Sequence, residues 1–239
     1  MIEVWAGAGR YRGGEADAGV ESWHAFSFGV HYDPDNVGFG LLMACNEELL
    51  APGAGFDEHP HSDTEIVTWV LDGTLEHRDD HGTAALLGAG DLQRLSAGGG
   101  VRHTERNAGT RPLRFLQMWL RPDSTGGPPE YTAVTAPVPQ GPGLRLLASG
   151  APDDCPAVRL RQPAAALYAS RPDGPDACGL PAAAYRYVHV VRGSVHLDHP
   201  DGEALLCPGD AARITGQAAV EARTDGPAEY LVWAMNPLL

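Results

Sequence analysis

Histidine and carboxylate side chains are concentrated in two short stretches of this 239-residue chain. The first, EHPHSDTE, contains His59 and His61, and the second, GGGVRHTERN, contains His103 and Glu105. Each pair has an i, i+2 spacing, which in a strand places both side chains on one face, ~6.5–7 Å apart at their roots. Three neutral imidazoles and one carboxylate suit a first-row divalent transition metal better than calcium or a thiophilic ion. The spacing therefore predicts a metal site rather than solvated histidines in loops.

Another carboxylate and the other histidines are further candidates for metal ligands. Glu65 follows His61 by four residues and shares its strand parity, so its side chain could reach the same ion. His77 and His81 flank a polar hairpin tip, EHRDDHG, and are predicted to be solvated. Three further histidines lie in the half of the chain without these motifs: His189, His196 and His199.

The elements that must position these side chains are predicted to be strands. Glycine (30 residues) and proline (20 residues) punctuate the whole chain, and short runs such as IVTWVL and YRYVHVV lie between them. Long stretches with a 3.6-residue apolar period are missing. Residues 121–143 contain six prolines and four glycines and are predicted to be a connecting segment without a strand. We therefore predict an all-β protein with domains at 1–130 and 131–239.

The two halves repeat each other weakly. Turn glycines recur at offsets of 120, 120 and 119 residues, as Gly73 and Gly193, Gly82 and Gly202, and Gly90 and Gly209. Two similar β domains are therefore predicted. At these offsets His59 and His61 correspond to Gly179 and Pro181, and His103 and Glu105 correspond to Ala222 and Thr224. Because the candidate ligands occur in only one copy, they are interpreted as a functional site rather than as structural residues.

Composition and charge exclude several classes of protein. Apolar residues make up 43% of the chain and charged residues 20%, which is typical of a folded globular protein. The net charge of −14 repels phosphate backbones, so direct nucleic-acid binding is not expected. No segment approaches the ~20 apolar residues of a membrane span, and the N-terminus lacks the apolar stretch of a signal peptide. We therefore expect a cytoplasmic protein whose four cysteines are reduced.

Both histidine-containing stretches resemble motifs of a known family. GAGFDEHPHSDTEIVTWVLDG is similar to the first cupin motif, and GDLQRLSAGGGVRHTERN is similar to the second. HPHSDTEIVTWVLDGTLEHRD and LSAGGGVRHTE resemble the pirin family more specifically, and SWHAFSFGVHYDP resembles the N-terminal strand of its bacterial, quercetinase-like branch. The resemblance covers most of residues 10–121. Ser96 and the four residues between Gly98 and His103 depart from the stricter cupin motif, but the pirin pattern tolerates both.

The resemblance implies a bicupin, with two β-barrels of the double-stranded β-helix type in one chain. It implies an iron-type metal in the N-terminal barrel and an empty C-terminal barrel. It also implies that His59, His61, His103 and Glu105 are the ligands, because the Glu two residues after the last His takes this role in pirin-like proteins. Glu65 is then expected to orient a ligand or to be a polar barrel residue. Fe(II) is the expected ion, with Mn, Ni, Co, Cu and Zn as alternatives.

The function implied by the resemblance is a metal-dependent dioxygenase of flavonols such as quercetin, with Glu105 as the general base. The alternative is a non-catalytic, iron-containing regulatory or redox-sensing protein that binds a protein partner. A metal-dependent isomerase or a structural ion is a weaker interpretation. Five aromatic residues are candidate walls for a flat substrate: Trp23, Phe26, Phe28, Trp69 and Trp119. His24 and His31 are expected to be packed or surface residues, with pocket lining as the alternative, and the chain is expected to be a monomer.

Overall fold

A computed structural model of the chain describes residues 1–200, 202–216 and 218–237. Two short 3₁₀ helices, Gly7–Gly9 and Ala16–Ala18, are the helical elements of this described part, and none of its helices is long or apolar enough to span a membrane. The strands up to residue 134 are β1 (Ile2–Trp5), β2 (Tyr11–Gly13), β3 (Val20–His24), β4 (Leu42–Leu50), β5 (Gly55–His61), β6 (Glu65–Asp72), β7 (Thr74–Asp79), β8 (Ala84–Gly88), β9 (Leu92–Ser96), β10 (Val101–Asn107), β11 (Leu113–Leu120) and β12 (Glu130–Val134). The later strands are β13 (Gly141–Ser149), β14 (Val158–Arg159), β15 (Ala165–Arg171), β16 (Asp176–Gly179), β17 (Tyr185–Arg192), β18 (Val195–His199), β19 (Gly202–Leu206), β20 (Ala211–Thr215), β21 (Glu221–Thr224) and β22 (Glu229–Met235). The all-β prediction is confirmed.

The strands form two similar barrels, each built from a seven-stranded and a four-stranded sheet. The first barrel has the orders β12-β9-β6-β11-β4-β3-β2 and β5-β10-β7-β8. The second has the orders β1-β20-β17-β22-β15-β13-β14 and β16-β21-β18-β19. The two barrels therefore share one sheet pattern and differ at one edge, where β2 pairs antiparallel with β3 but β14 pairs parallel with β13. The predicted duplication is confirmed.

Turn glycines support this repeat in the way their spacing predicts. Gly73 and Gly193 have φ of 84° and 71°, a backbone conformation that disfavours residues with a Cβ atom. A Cβ at Gly73 would lie 2.7 Å from the Leu113 backbone, and one at Gly193 would lie 2.3 Å from the Pro227 carbonyl oxygen. The same turn chemistry therefore recurs after the equivalent strands β6 and β17.

Two strands cross between the halves. β1, at the N-terminus, pairs antiparallel with β20 of the second barrel, and β12 pairs antiparallel with β9 of the first. The prediction of a strand-free segment over 121–143 is therefore wrong for residues 130–134, which form β12 between the proline clusters, and for residues 141–143, where β13 begins. The division at 130/131 stays a prediction. It falls inside β12, and sheet pairing crosses it through both β1 and β12.

The largest apolar cluster lies between the barrels and draws residues from both, including Trp69, Met118, Tyr187 and Trp233. The interior of the second barrel is one continuous apolar cluster. In the first barrel, by contrast, the interior apolar residues form two separate clusters. The first barrel therefore leaves space inside for polar side chains.

Strand register shows what replaces those polar side chains in the second barrel. His77 pairs with Glu105 across β7 and β10, whereas Leu197 pairs with Ala222 across β18 and β21. Ala222 is therefore the counterpart of Glu105, two residues from the assignment that the sequence offset predicted. Leu197 and Ala222 are buried in the second barrel's apolar cluster. That barrel has no polar centre at this place.

The buried histidine of the second barrel supports a prediction about stability. His189 is 3% exposed, its Nδ1 has no hydrogen-bond partner, and burial followed by the Arg10 charge lowers its pKa from 6.5 to about 4. Between these pH values the unfolded chain binds a proton that the folded chain does not. The contribution of this residue to the free energy of unfolding is therefore complete above pH 6.5 and is lost towards pH 4. The free energy of unfolding of both proteins is expected to fall between pH 7 and pH 4. We expect the fall to be smaller in His189→Gln than in the unaltered protein, by up to ~3 kcal/mol.

Urea unfolding of both proteins at a series of pH values, with a chelator present, measures this difference. The chelator removes any contribution of a bound metal, and the other histidines are common to both proteins. Parallel stability curves for the two proteins would contradict the assignment of a neutral buried imidazole at residue 189.

Candidate metal centre

Three of the predicted ligands converge inside the first barrel. β5 and β10 are antiparallel, with His103 opposite His59 and Val101 opposite His61. The ring centroids are 4.8 Å apart for His59 and His61, 4.5 Å for His59 and His103, and 4.9 Å for His61 and His103. One nitrogen of each ring lies within 4.8 Å of the corresponding nitrogens of the other two. The i, i+2 spacing and the strand pairing together produce a three-histidine cluster.

The orientation of the rings fits a metal ion. His59 Nδ1 is 2.7 Å from the Asp57 carbonyl oxygen, which directs Nε2 inward, where it lies 3.0 Å from His103 Nε2. Two nitrogens bound at right angles to an ion at ~2.1 Å would be ~3.0 Å apart. His61 Nε2 is buried and has no hydrogen-bond partner. An unpartnered buried nitrogen facing two others is the arrangement expected of a ligand set.

Protonation favours metal binding as well. Burial, together with the neighbouring imidazoles His103 and His59, lowers the pKa of His61 to about 3. Burial likewise lowers the pKa of His103 to about 3, with contributions from His59 and His77. Both imidazoles are therefore neutral at pH 7, which is the form that binds a metal.

Glu105 lies beside the three-histidine cluster in a buried, hydrogen-bonded position. Its Oε1 accepts a hydrogen bond from Gln93 Nε2 (2.9 Å) and its Oε2 accepts one from Gln117 Nε2 (2.6 Å). A second cluster of ligand atoms consists of Glu105, His103 and His77. Burial raises the pKa of Glu105, against the opposing effects of His77 and the two amides. Each carboxylate oxygen retains a free lone pair after accepting one hydrogen bond.

Glu65 lies elsewhere. Its oxygens accept hydrogen bonds from the backbone N–H groups of Arg161 (2.8 Å) and Gln162 (3.1 Å) and from Ser96 Oγ (2.8 Å). Arg94 Nη1 is 3.8 Å away. Glu65 therefore joins the first barrel to the segment that precedes β15. Of its two expected roles, polar barrel residue is the one that these contacts support.

His77 is the residue that the sequence prediction placed wrongly. It is fully buried in β7, its Nδ1 lies 3.3 Å from His103 Nδ1, and its ring stacks on Tyr131 at 4.5 Å. Its Nε2 lies 3.6 Å from Asp79 Oδ2. The signal was present in TLEHRD, because Leu75 and His77 share the inward face of an alternating strand. His81 is exposed at the hairpin tip, as predicted.

These contacts predict that His77 positions His103 for metal binding. His77→Phe keeps the stacking on Tyr131 but removes the contact with His103 Nδ1, and we expect it to lower metal affinity by ~10- to 100-fold. His77→Asn, which keeps a hydrogen-bonding group, is expected to restore part of this loss. Competition with a chromophoric chelator measures both, with His81→Phe as the control. Unchanged affinity in His77→Phe would contradict the role.

A cavity of ≈ 180 Å³ opens beside the histidines. Its lining residues are Phe28, Asn46, Glu48, Phe56, His59, His61, Glu105, Gln117 and Trp119. Glu48 is buried and accepts a hydrogen bond from Ser22 Oγ. Burial raises the pKa of Glu48 to about 8, with further upward effects of Glu105 and Glu47 and a downward effect of Ser22. Glu48 therefore carries a proton at pH 7 and can donate a hydrogen bond into the cavity.

Two of the five predicted aromatic walls line this cavity. Phe28 and Trp119 do so, in an edge-to-face contact with centroids 5.2 Å apart. The others lie outside its lining: Phe26 and Trp69 are in the apolar cluster between the barrels, and Arg12 covers Trp23. The two uncertain histidines are packed residues outside the lining, His24 against Phe28 and His31 against Tyr11.

Comparison with known proteins gives a consistent result. The family model named Pirin matches residues 8–120. Quercetin 2,3-dioxygenase of Escherichia coli strain K12 is 32% identical over 228 residues, covering 94% of this chain and 96% of that protein. A pirin-like protein of Caulobacter vibrioides is 42% identical over 159 residues, covering 66% of this chain and 68% of that protein. The bacterial pirin YhhW of Escherichia coli in complex with nickel(II) matches with a TM-score of 0.89 and 31% identity, covering 100% of both chains.

Proposed function

Because this chain belongs to the pirin family and has its bicupin fold, we propose that it is a metal-dependent dioxygenase of quercetin-like flavonols. In this proposal His59, His61, His103 and Glu105 hold one divalent transition metal, with Fe(II) as the physiological ion. The observation that carries the proposal is the convergence of three imidazoles beside an aromatic-walled cavity. The full-length similarity to a quercetin 2,3-dioxygenase supports the choice of substrate.

The ion and its surroundings would divide the chemistry between them. A bound divalent metal acts as a Lewis acid that lowers the pKa of a flavonol hydroxyl. Glu105, held by the Gln93 and Gln117 amides, would accept the proton of that hydroxyl as the general base. Phe28 and Trp119 contact the flat ring, and the protonated Glu48 donates a hydrogen bond to a substrate oxygen.

One observation favours the second candidate function, a non-catalytic iron-containing protein that binds a protein partner. The cavity of ≈ 180 Å³ is smaller than the ~300–1,000 Å³ of sites that enclose drug-sized ligands. A flavonol would therefore extend beyond the cavity or displace its walls. Nickel in the similar YhhW structure supports metal binding under either function. A monomeric state and a cytoplasmic location remain predictions.

A turnover assay separates the two candidates. The protein is reconstituted separately with Fe(II), Mn(II), Co(II), Ni(II), Cu(II) and Zn(II) and mixed with quercetin under air. We expect at least one metal form to consume quercetin, which is seen as a loss of its absorbance. The His61→Ala variant should show no such loss. No metal-dependent loss in any form would remove the enzymatic function, and a partner captured in only one iron oxidation state would then support the regulatory one.

A further inference from the structure

A second cavity, of ≈ 360 Å³, lies between the N-terminal segment and the second barrel. It shares no lining residue with the cavity beside the histidines. Its wall combines two guanidinium groups with three aromatic rings: Arg10, Arg213, Trp5, Tyr11 and Tyr187. Neither the proposed dioxygenase activity nor the metal centre uses any of these residues.

Arg213 is a buried cation without a carboxylate partner. Only 6% of the residue is exposed, and its Nη2 donates hydrogen bonds to Asn36 Oδ1 (2.6 Å) and the Ala25 carbonyl oxygen (3.3 Å). Its Nε has no hydrogen-bond partner, and within the described parts of the chain it forms no ion pair. Glu3 is opposite Arg213 in the strand register and its charge partly offsets the burial that lowers the pKa of Arg213, yet it is exposed and makes no ion pair with it. A buried cation that no carboxylate contacts favours an anion in the adjoining cavity.

Arg213 is the cation of the wall that is free to pair with a ligand. Arg10, the other cation of the wall, is paired at 2.8 Å with Glu47, which is also bound by Arg114, so this carboxylate already serves two guanidinium groups. The chain as a whole has a net charge of −14, which repels polyanions at long range. A monoanion therefore matches this cavity better than a polyphosphate.

The rest of the wall is suited to a flat ring. The Arg213 guanidinium carbon lies 3.8 Å from the centroid of the Trp5 ring, in a cation–π contact that holds the indole in the wall that Tyr187 and Tyr11 also line. The Tyr187 hydroxyl lies near the Cys45 thiol, a weak hydrogen-bonding group, and makes no hydrogen bond of regular geometry. The cavity volume falls within the ~300–1,000 Å³ usual for small-molecule sites.

We propose that this cavity is a second binding site, for a planar aromatic monocarboxylate. The carboxylate accepts hydrogen bonds from the Arg213 guanidinium, and the ring packs between Trp5 and Tyr187. Because Trp5 belongs to β1 and Tyr187 to β17, the ligand would contact both the N-terminal strand and the barrel that this strand completes. This site is independent of the function proposed for the metal centre.

Calorimetric titration with 2-naphthoate and with its neutral isostere 2-naphthamide tests the charge requirement. We expect the carboxylate to bind one site per chain and the amide to bind ~10- to 100-fold more weakly, the usual contribution of a charged hydrogen-bonded pair. The same titration of the His61→Ala variant separates this site from the metal centre. Equal affinities for the two probes, or loss of binding in His61→Ala, would overturn the proposal.

Filling the cavity provides a test that does not disturb Arg213. A Cβ at Gly9, which lines the cavity, would meet no atom within 4 Å, so Gly9→Leu adds a side chain there without a backbone clash. Gly179 is also exposed and open at Cβ but lies outside the lining, which makes Gly179→Leu the matched control. We expect Gly9→Leu to weaken 2-naphthoate binding at least ~10-fold, Gly179→Leu to leave it unchanged, and Arg213→Gln, where it folds, to abolish the preference over the amide. Unchanged binding in Gly9→Leu would refute the site even if Arg213→Gln fails to fold.

Discussion

Replacement of His61 by alanine is expected to lower the affinity for divalent transition metals by more than ~100-fold. Removal of a residue that only supports a ligand costs 10- to 100-fold, and His61 is proposed to be a ligand itself. Its Nε2 makes no hydrogen bond within the protein, so the substitution breaks no internal contact of that nitrogen. The substitution should therefore change the free energy of unfolding, measured with a chelator present, much less than it changes the free energy of metal binding.

Two measurements check this result. Competition with a chromophoric chelator gives the affinity, and urea unfolding without metal shows whether the fold is retained. His81→Ala is the matched control, because His81 is an exposed histidine of the same barrel. Retention of metal by His61→Ala at the level of His81→Ala would show that the ion, if bound, is held elsewhere.

The three-histidine cluster could be predicted from sequence because strand geometry is regular. Alternation puts His59 and His61 on one face, and the glycine-rich turn before His103 allows a strand to return beside them. Once β5 pairs with β10, the strand geometry alone brings the three rings together. The motif resemblance led to the same residues independently.

The role of Glu65 could not be read in this way because its parity with His61 has no structural meaning. β5 ends at His61 in the four-stranded sheet, and β6 begins at Glu65 in the seven-stranded sheet. Between them Asp63 has a φ of 48°, so the chain turns and the alternation starts anew. Parity predicts a shared face only within one uninterrupted strand.

Long-range pairing was also hidden from the sequence. The proline-rich context of residues 130–134 suggested a linker, yet β12 satisfies its backbone groups against β9 at the edge of the first sheet. An edge strand tolerates neighbouring prolines because only one of its sides is paired. The N-terminal strand β1 gives no local sign that its partner lies about 210 residues away in β20.

Replacement of Glu65 by alanine is expected to destabilise the fold by ~3–5 kcal/mol, the usual cost of removing one partner of a buried charged pair. The substitution would leave the backbone N–H groups of Arg161 and Gln162 without their acceptor and would remove the carboxylate near Arg94. Because Glu65 is outside the lining of the metal-site cavity, metal affinity should stay within ~3-fold of the unaltered protein, a difference below 1 kcal/mol. Urea unfolding with a chelator present and metal competition measure the two quantities separately.

Glu105→Ala is the matched comparison and should show the opposite result. Removal of this carboxylate takes away a proposed ligand, so we expect a loss of metal affinity far larger than that of Glu65→Ala. Glu65→Gln, which keeps one acceptor oxygen for the N–H groups of residues 161 and 162, should recover part of the lost stability. Glu105 lies beside the three-histidine cluster, whereas Glu65 lies at the contact between the barrels. Equal metal retention by Glu65→Ala and Glu105→Ala would therefore overturn the choice of Glu105 as the carboxylate ligand.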